Sequence, residues 1–146
     1  MICFKTKKIL MYLFEHSDTF SILVKIEKPY SRMPPNFRNT NLQKNLNPYI
    51  LKYYYNRDQW PVSFLTKRKH QIMAVYTISP ACRKEFEKET DLFFSAENNY
   101  WEDLCFYKKG KVWFITILHE KIAYTDNCNA NDLDFWRKVG IKLITN

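Results

Sequence analysis

The sequence predicts a single α+β domain over residues 1–146, an antiparallel sheet of about five strands with two or three helices packed on it. Three observations predict it. Trp101 to Asp126 reads as a three-stranded antiparallel meander, Thr19 to Glu27 alternates in character like a half-buried strand, and Asp132 to Val139 carries helix signals at both ends. A chain of 146 residues is long enough to bury one substantial core and short for two.

Lys5 to Glu15 sets Ile9, Leu10, Leu13 and Phe14 in one apolar stripe, with Lys7 and Lys8 on the wet side, and predicts a helix ended by His16-Ser17-Asp18. Thr19–Glu27 follows as a strand, with Phe20, Ile22, Val24 and Ile26 on one face. Residues 28–48 break the pattern. They hold Pro29, Pro34, Pro35 and Pro48 among asparagines and cations, and read as a long basic loop, with room for a helical turn over Asn41 to Asn47. Tyr49 to Asn56 fits a short helix and a strand equally well. Gln71–Ile78 is the next strand. Ser79-Pro80 then starts a helix running to about Thr90, serine as N-cap and proline in the first turn, with Cys82 and Phe86 inward and an Arg83–Glu87 pair outward.

The meander supplies three more strands, Leu104–Lys108, Lys111–Leu118 and Lys121–Thr125, with Gly110 giving the first turn its positive φ. Strict alternation puts Val112, Phe114, Thr116 and Leu118 on one side of the middle strand and Trp113, Ile115 and Ile117 on the other. A strand apolar at both parities is buried on both sides. The last helix has Asn131 available as N-cap, Asp132 and Asp134 in the positive first turn, Arg137 and Lys138 in the last, and Gly140 for a left-handed stop. Its inward stripe is Leu133, Trp136 and Val139, with Ile141 folding back on it.

Only two glycines are present, which argues against phosphate-cradling loops, and no GxGxxG, Walker or GxSxG pattern occurs. Cys3, Cys82, Cys105 and Cys128 show no CxxC or zinc spacing, so no metal or other cofactor is expected, and Cys105 in a strand and Cys82 on a helix face read as small hydrophobes. The apolar run Ile9 to Phe14 is too short for a signal peptide, and no stretch nears a membrane span. A reduced, cytoplasmic protein is the expectation.

Of the net charge of +8, residues 1–70 carry +9 and residues 71–146 carry −1, which suggests an acidic partner. In the basic half, Arg32, Arg38, Lys44, Lys52, Arg57, Lys67, Arg68 and His70 form a candidate surface for nucleic acid or an acidic protein, with Tyr30, Phe37, Tyr53, Tyr54 or Tyr55 for stacking on bases. The plainer alternative puts the tyrosines in the core. His119 beside Glu120 suits general acid–base work, and His70 paired with His119 suits a metal-independent nuclease. Neighbours on a strand point to opposite faces, so Glu120 is poorly placed to orient His119. No residue is assigned a catalytic role. Trp60, Trp101, Trp113 and Trp136 exceed what a small core readily hides, and with Glu102-Asp103 and the turn lysines as rim they suggest a protein-binding surface. Stoichiometric binding of a macromolecular partner, by a non-enzymatic inhibitor or immunity-type protein, is the favoured expectation. Nucleic-acid binding is the second.

Overall fold

The computed structural model describes residues 2–25, 41–55, 71–87, 101–117 and 122–140. In chain order the elements are α1 (Ile2–His16), β1 (Thr19–Lys25), α2 (Asn41–Leu46) with a 3₁₀ turn at Asn47–Tyr49, β2 (Ile50–Tyr55), β3 (Gln71–Thr77), α3 (Pro80–Phe86), β4 (Trp101–Lys108), β5 (Lys111–Ile117), β6 (Ile122–Thr125) and α4 (Ala130–Val139). The fold is α+β. All six strands join one antiparallel sheet in the order β2-β3-β1-β4-β5-β6. The meander forms as expected, and β1 inserts beside it, pairing β3 on one side and β4 on the other. The additional strand is β2: YILKYYYN fits either state locally, and pairing with β3 decides it.

The helices share one sheet face, since their inward side chains meet in a single cluster. Ile9, Leu10, Leu13 and Phe14 of α1, Leu42 and Leu46 of α2, Cys82 and Phe86 of α3, and Trp136 and Val139 of α4 pack on Phe20, Ile22, Ala74, Tyr76, Leu104, Phe106 and Phe114. Aromatic rings fill the centre. Phe20 stacks on Tyr76 at 4.8 Å between centroids and meets Phe86 edge-on at 5.4 Å. Ser21, Leu23, Met73, Cys105 and Ile115, of opposite parity in their ladders, are buried as well, so β5 is enclosed on both sides as its composition implied.

Strict alternation in β5 fails at one point, however. Phe106 pairs with Phe114 and Tyr107 with Val112, which leaves Trp113 as the extra residue of a β-bulge. The bulge turns Trp113 to the helix side, where its ring lies 5.8 Å from Trp136, and Phe114 stacks on that same Trp136 at 5.1 Å. Trp113 and Trp136 are therefore core residues, not binding-surface aromatics. Asp103, expected on a polar rim, is buried. Its φ of 52° and the register shift between β1 and β4 turn it inward.

Caps account for the helix ends. Ser79 Oγ accepts from Cys82 N at 3.1 Å and opens α3. That helix closes at Glu87, and the extension expected to Thr90 lies outside the described residues. Arg83 reaches Glu15 of α1 at 3.2 Å and not Glu87, because Glu87 is the C-cap and Glu15 faces it from the neighbouring helix. In α4 the cap is Asn129, two residues earlier than expected. Its side chain accepts from Asp132 N while the Asp132 carboxylate accepts from Asn129 N, a reciprocal capping box. Asp132, Trp136 and Val139 form the buried stripe, and Leu133 is half-buried.

Lys109 and Gly110 both have positive φ, the requirement of a tight I′ hairpin turn, and Lys109 N donates to Asp18 Oδ2 at the start of β1. Gly140 ends α4 at φ 75°, and a Cβ there would meet nothing within 4 Å. A substitution at Gly140 thus incurs backbone strain alone. Gly140→Ala is expected to destabilise by about 1 kcal/mol, read as a lower urea midpoint at unchanged m-value.

Candidate functional site

Two places on the helical side carry more than ordinary packing. The first is a buried polar cluster. Asp132, fully enclosed, accepts from Lys108 Nζ at 2.6 Å, Tyr12 OH at 2.9 Å and Asn129 N at 3.0 Å. Lys108 Nζ also lies 3.8 Å from the ring centroid of Trp113, whose Nε1 donates to Ser17 Oγ at 2.8 Å. Tyr12 is held between Phe135 and His16, with centroids at 3.7 and 4.0 Å.

Burial pushes the Asp132 carboxyl upward, but the hydrogen bonds from Lys108, Asn129 N and Tyr12, with the charge of Lys108, outweigh it and hold the group below its ordinary value. Burial first, and the bond to Asp132 second, raise the Tyr12 phenol. Burial likewise pushes the Cys82 thiol up to about 12 and raises Cys105 and Cys128. These three thiols stay protonated, as the reading of Cys82 and Cys105 as small hydrophobes requires. The carboxylate, ammonium and phenol occupy one another. The chemistry this arrangement supports is docking of α4 onto α1 and β4.

The second place is open. α1 and α3 flank a cavity of about 250 Å³, with the buried Leu10, Phe14 and Phe86 as floor, and Met11, Lys7, Arg83 and Glu87 around it. Phe14 and Phe86 close the base, with ring centroids 4.9 Å apart. Met11 is 41% exposed, one of two large hydrophobic side chains so placed among the described residues. The Arg83–Glu15 bridge joins the two walls. Lys7, Leu10, Met11 and Phe14 stand at i, i+3, i+4 and i+7, so the cavity follows α1 for two turns.

Of the residues expected at a basic interface, two are described. Lys44 is exposed on α2, and Lys52 is exposed on β2 with Nζ 4.8 Å from the Tyr54 ring centroid. Tyr53 is half-buried and packs against the core, and Tyr54 is half-buried beside Lys52. Arg32, Arg38, Arg57, Lys67, Arg68 and His70 lie outside the described residues, as do His119 and Glu120. The structure thus neither joins nor separates the suggested histidine pair. Among the described residues no group of three His, Cys, Asp or Glu is placed to hold a metal ion, and no helix is long and apolar enough to cross a membrane.

Sequence reasoning missed Tyr12 and Met11, and gave Asp132 and Lys108 different roles: Lys108, expected on a polar rim, turns to the buried Asp132 carboxylate. A local signal existed for Asp132 in the Asn129-x-x-Asp132 spacing. For the groove, the helical spacing of Lys7 and Met11 marks one wall, and the other comes from a distant segment.

The class the fold and site define is a single α+β domain with an aromatic-rich core, a polar cluster around buried Asp132 and an apolar groove on its helical side. No protein family, curated protein or solved structure matches the chain.

Proposed function

We propose that this protein works without turnover, by stoichiometric binding of a macromolecular partner, in the manner of an inhibitor or immunity-type protein, and that the α1–α3 groove is its contact surface. The observation that supports the reading is Met11, a large apolar side chain left open to solvent over a floor of Leu10, Phe14 and Phe86. An open apolar site with a polar rim is the arrangement in which interface anchors are found, and methionine adapts well to a partner's shape. The cavity, about 250 Å³ and open to solvent, has room for an anchoring side chain of a partner. A reducing, cytoplasmic setting belongs to the same proposal, supported by the free thiols of Cys82, Cys105 and Cys128.

Met11→Glu tests it. The substitution places a charge at the lip of the groove and leaves the core intact, so its effect on stability is expected to stay within about 0.5 kcal/mol. Partner recovered in quantitative affinity capture is expected to fall at least about tenfold, the scale of losing one anchor contact. Lys111→Glu, an exposed change that does not line the groove, is expected to leave capture intact. Equal capture by wild type and Met11→Glu would overturn the assignment. Capture of nucleic acid, lost steeply with added salt, would replace it with the basic-surface reading.

A further inference from the structure

We infer that the occupant of the α1–α3 groove is an acidic amphipathic helix of a partner protein, seating one bulky apolar side chain against Met11, Leu10 and Phe86. The inference rests on the binding reading above and goes beyond it in naming the partner's chemistry. Three observations carry it.

The first concerns backbone. Both walls of the groove are helices and its floor is apolar, so a ligand's N–H and C=O groups find no ladder there. An extended peptide would bury backbone polar groups unpaired, whereas a helix satisfies its own. The two-turn spacing of Lys7, Leu10, Met11 and Phe14 matches the ridge that a docking helix needs.

Charge is the second. Lys5, Lys7 and Lys8 are exposed on the N-terminal half of α1, and its first turn holds no acidic residue. The helix dipole adds positive potential at that end, so the lysines stand uncompensated by their own helix. α4 is built the opposite way, with Asp132 in its first turn and Arg137 and Lys138 in its last. On the α3 side Arg83 is shared with Glu15 and Glu87 adds a negative charge to the rim, so the attraction for anions is confined to the Lys7 end. Carboxylates on a ligand helix would meet that end.

The third separates a protein from nucleic acid. Single-stranded nucleic acid binds by stacking bases on open aromatic faces. The rings at this groove, Phe14 and Phe86, are buried at its base, and the exposed apolar residue of its lining is Met11. An aliphatic anchor fits that floor better than a base does.

The test uses the intact protein and a defined set of peptides, with binding followed by amide chemical-shift changes at peptide concentrations high enough to detect weak complexes. The probe is a designed helix of several turns with leucines at i, i+3, i+4 and i+7 and glutamates elsewhere. Its controls are the same composition scrambled, and the same leucine stripe with lysine for glutamate. An oligothymidine strand and the protein's own self-association are measured alongside. The acidic amphipathic helix is expected to shift Lys7, Leu10, Met11, Phe14 and Arg83, to bind at least tenfold more tightly than either peptide control, and to weaken by a similar factor in Lys7→Glu. Equal binding of the scrambled or basic peptide, or shifts centred away from the groove, would overturn the inference. So would preferential shifts from oligothymidine at these residues, or burial of Met11 in a dimer. If these peptides fail while Met11→Glu still abolishes partner capture, the acidic helix is wrong and the binding reading stands.

Discussion

Replacing Trp113 by alanine is expected to lower the free energy of unfolding by about 4 kcal/mol, within the range for removing a large buried aromatic. Its indole is completely enclosed and sits on the bulge of β5, where it is the extra residue between two ladder pairs. From there it touches three elements. Its ring lies 6.2 Å from Tyr12 of α1 and 5.8 Å from Trp136 of α4, and it lies under the ammonium of Lys108 in β4. Its Nε1 bond to Ser17 ties the end of α1 to the sheet. No neighbouring element can close the resulting void alone, since each is held by its own contacts. With domains of this size stable by only about 5–15 kcal/mol, equilibrium urea denaturation should detect the loss easily. Trp113→Phe keeps most of the ring and gives up the Ser17 bond, so a smaller loss of about 1–2 kcal/mol is expected. A loss in Trp113→Ala below about 1.5 kcal/mol would mean that the bulge residue does not anchor the helices.

Asp132→Asn is expected to destabilise by about 2–3 kcal/mol at neutral pH, and the difference from wild type should shrink in acid. Removing one partner of a fully buried ion pair costs about 3–5 kcal/mol. Lys108 retains 24% exposure and can turn toward water, so the expected loss falls below that range. The sign of the pH dependence follows from the depressed carboxyl. A carboxylate ionised more readily in the folded chain than in the unfolded one stabilises above the unfolded value, about 3.9. That contribution is lost as pH falls through the lower folded value. Wild type should therefore lose this increment below about pH 4, while Asp132→Asn lacks it at every pH. Lys108→Met leaves the buried carboxylate with its bonds from Tyr12 and Asn129 only, and about 3 kcal/mol is expected to be lost. The double variant should cost clearly less than the two single losses together, because the charges go as a pair. Strict additivity would contradict the ion pair as a coupled unit.

The sheet was legible wherever a segment's pattern is local. The β-branched and aromatic run of β5, the positive-φ turn at Gly110 and the left-handed stop at Gly140 each carry their own signal, and each forms. Errors fall where tertiary contact chooses between local equals. Asn129-x-x-Asp132 and Asn131-x-x-Asp134 are both acceptable capping spacings, and what selects the first is that Asp132 meets Lys108 and Tyr12. Trp113 was assigned to the wrong face because a bulge is a property of two strands and no single-strand pattern encodes it. The site was less legible than the fold. Tyr12 and Asp132 are 120 residues apart in the chain, and the groove pairs one turn of α3 with two of α1. Spacing within one segment gives no hint of either meeting.

Side-by-side capture of the partner by wild type, Met11→Glu and Asp132→Asn, each with its melting temperature, tests most directly the claim that binding and structural roles are divided between the groove and the buried cluster. Met11→Glu should melt with wild type and lose the partner, while Asp132→Asn should melt lower and still retain the partner at temperatures where it is folded. Retained capture by Met11→Glu, or loss of capture by folded Asp132→Asn, would contradict that division.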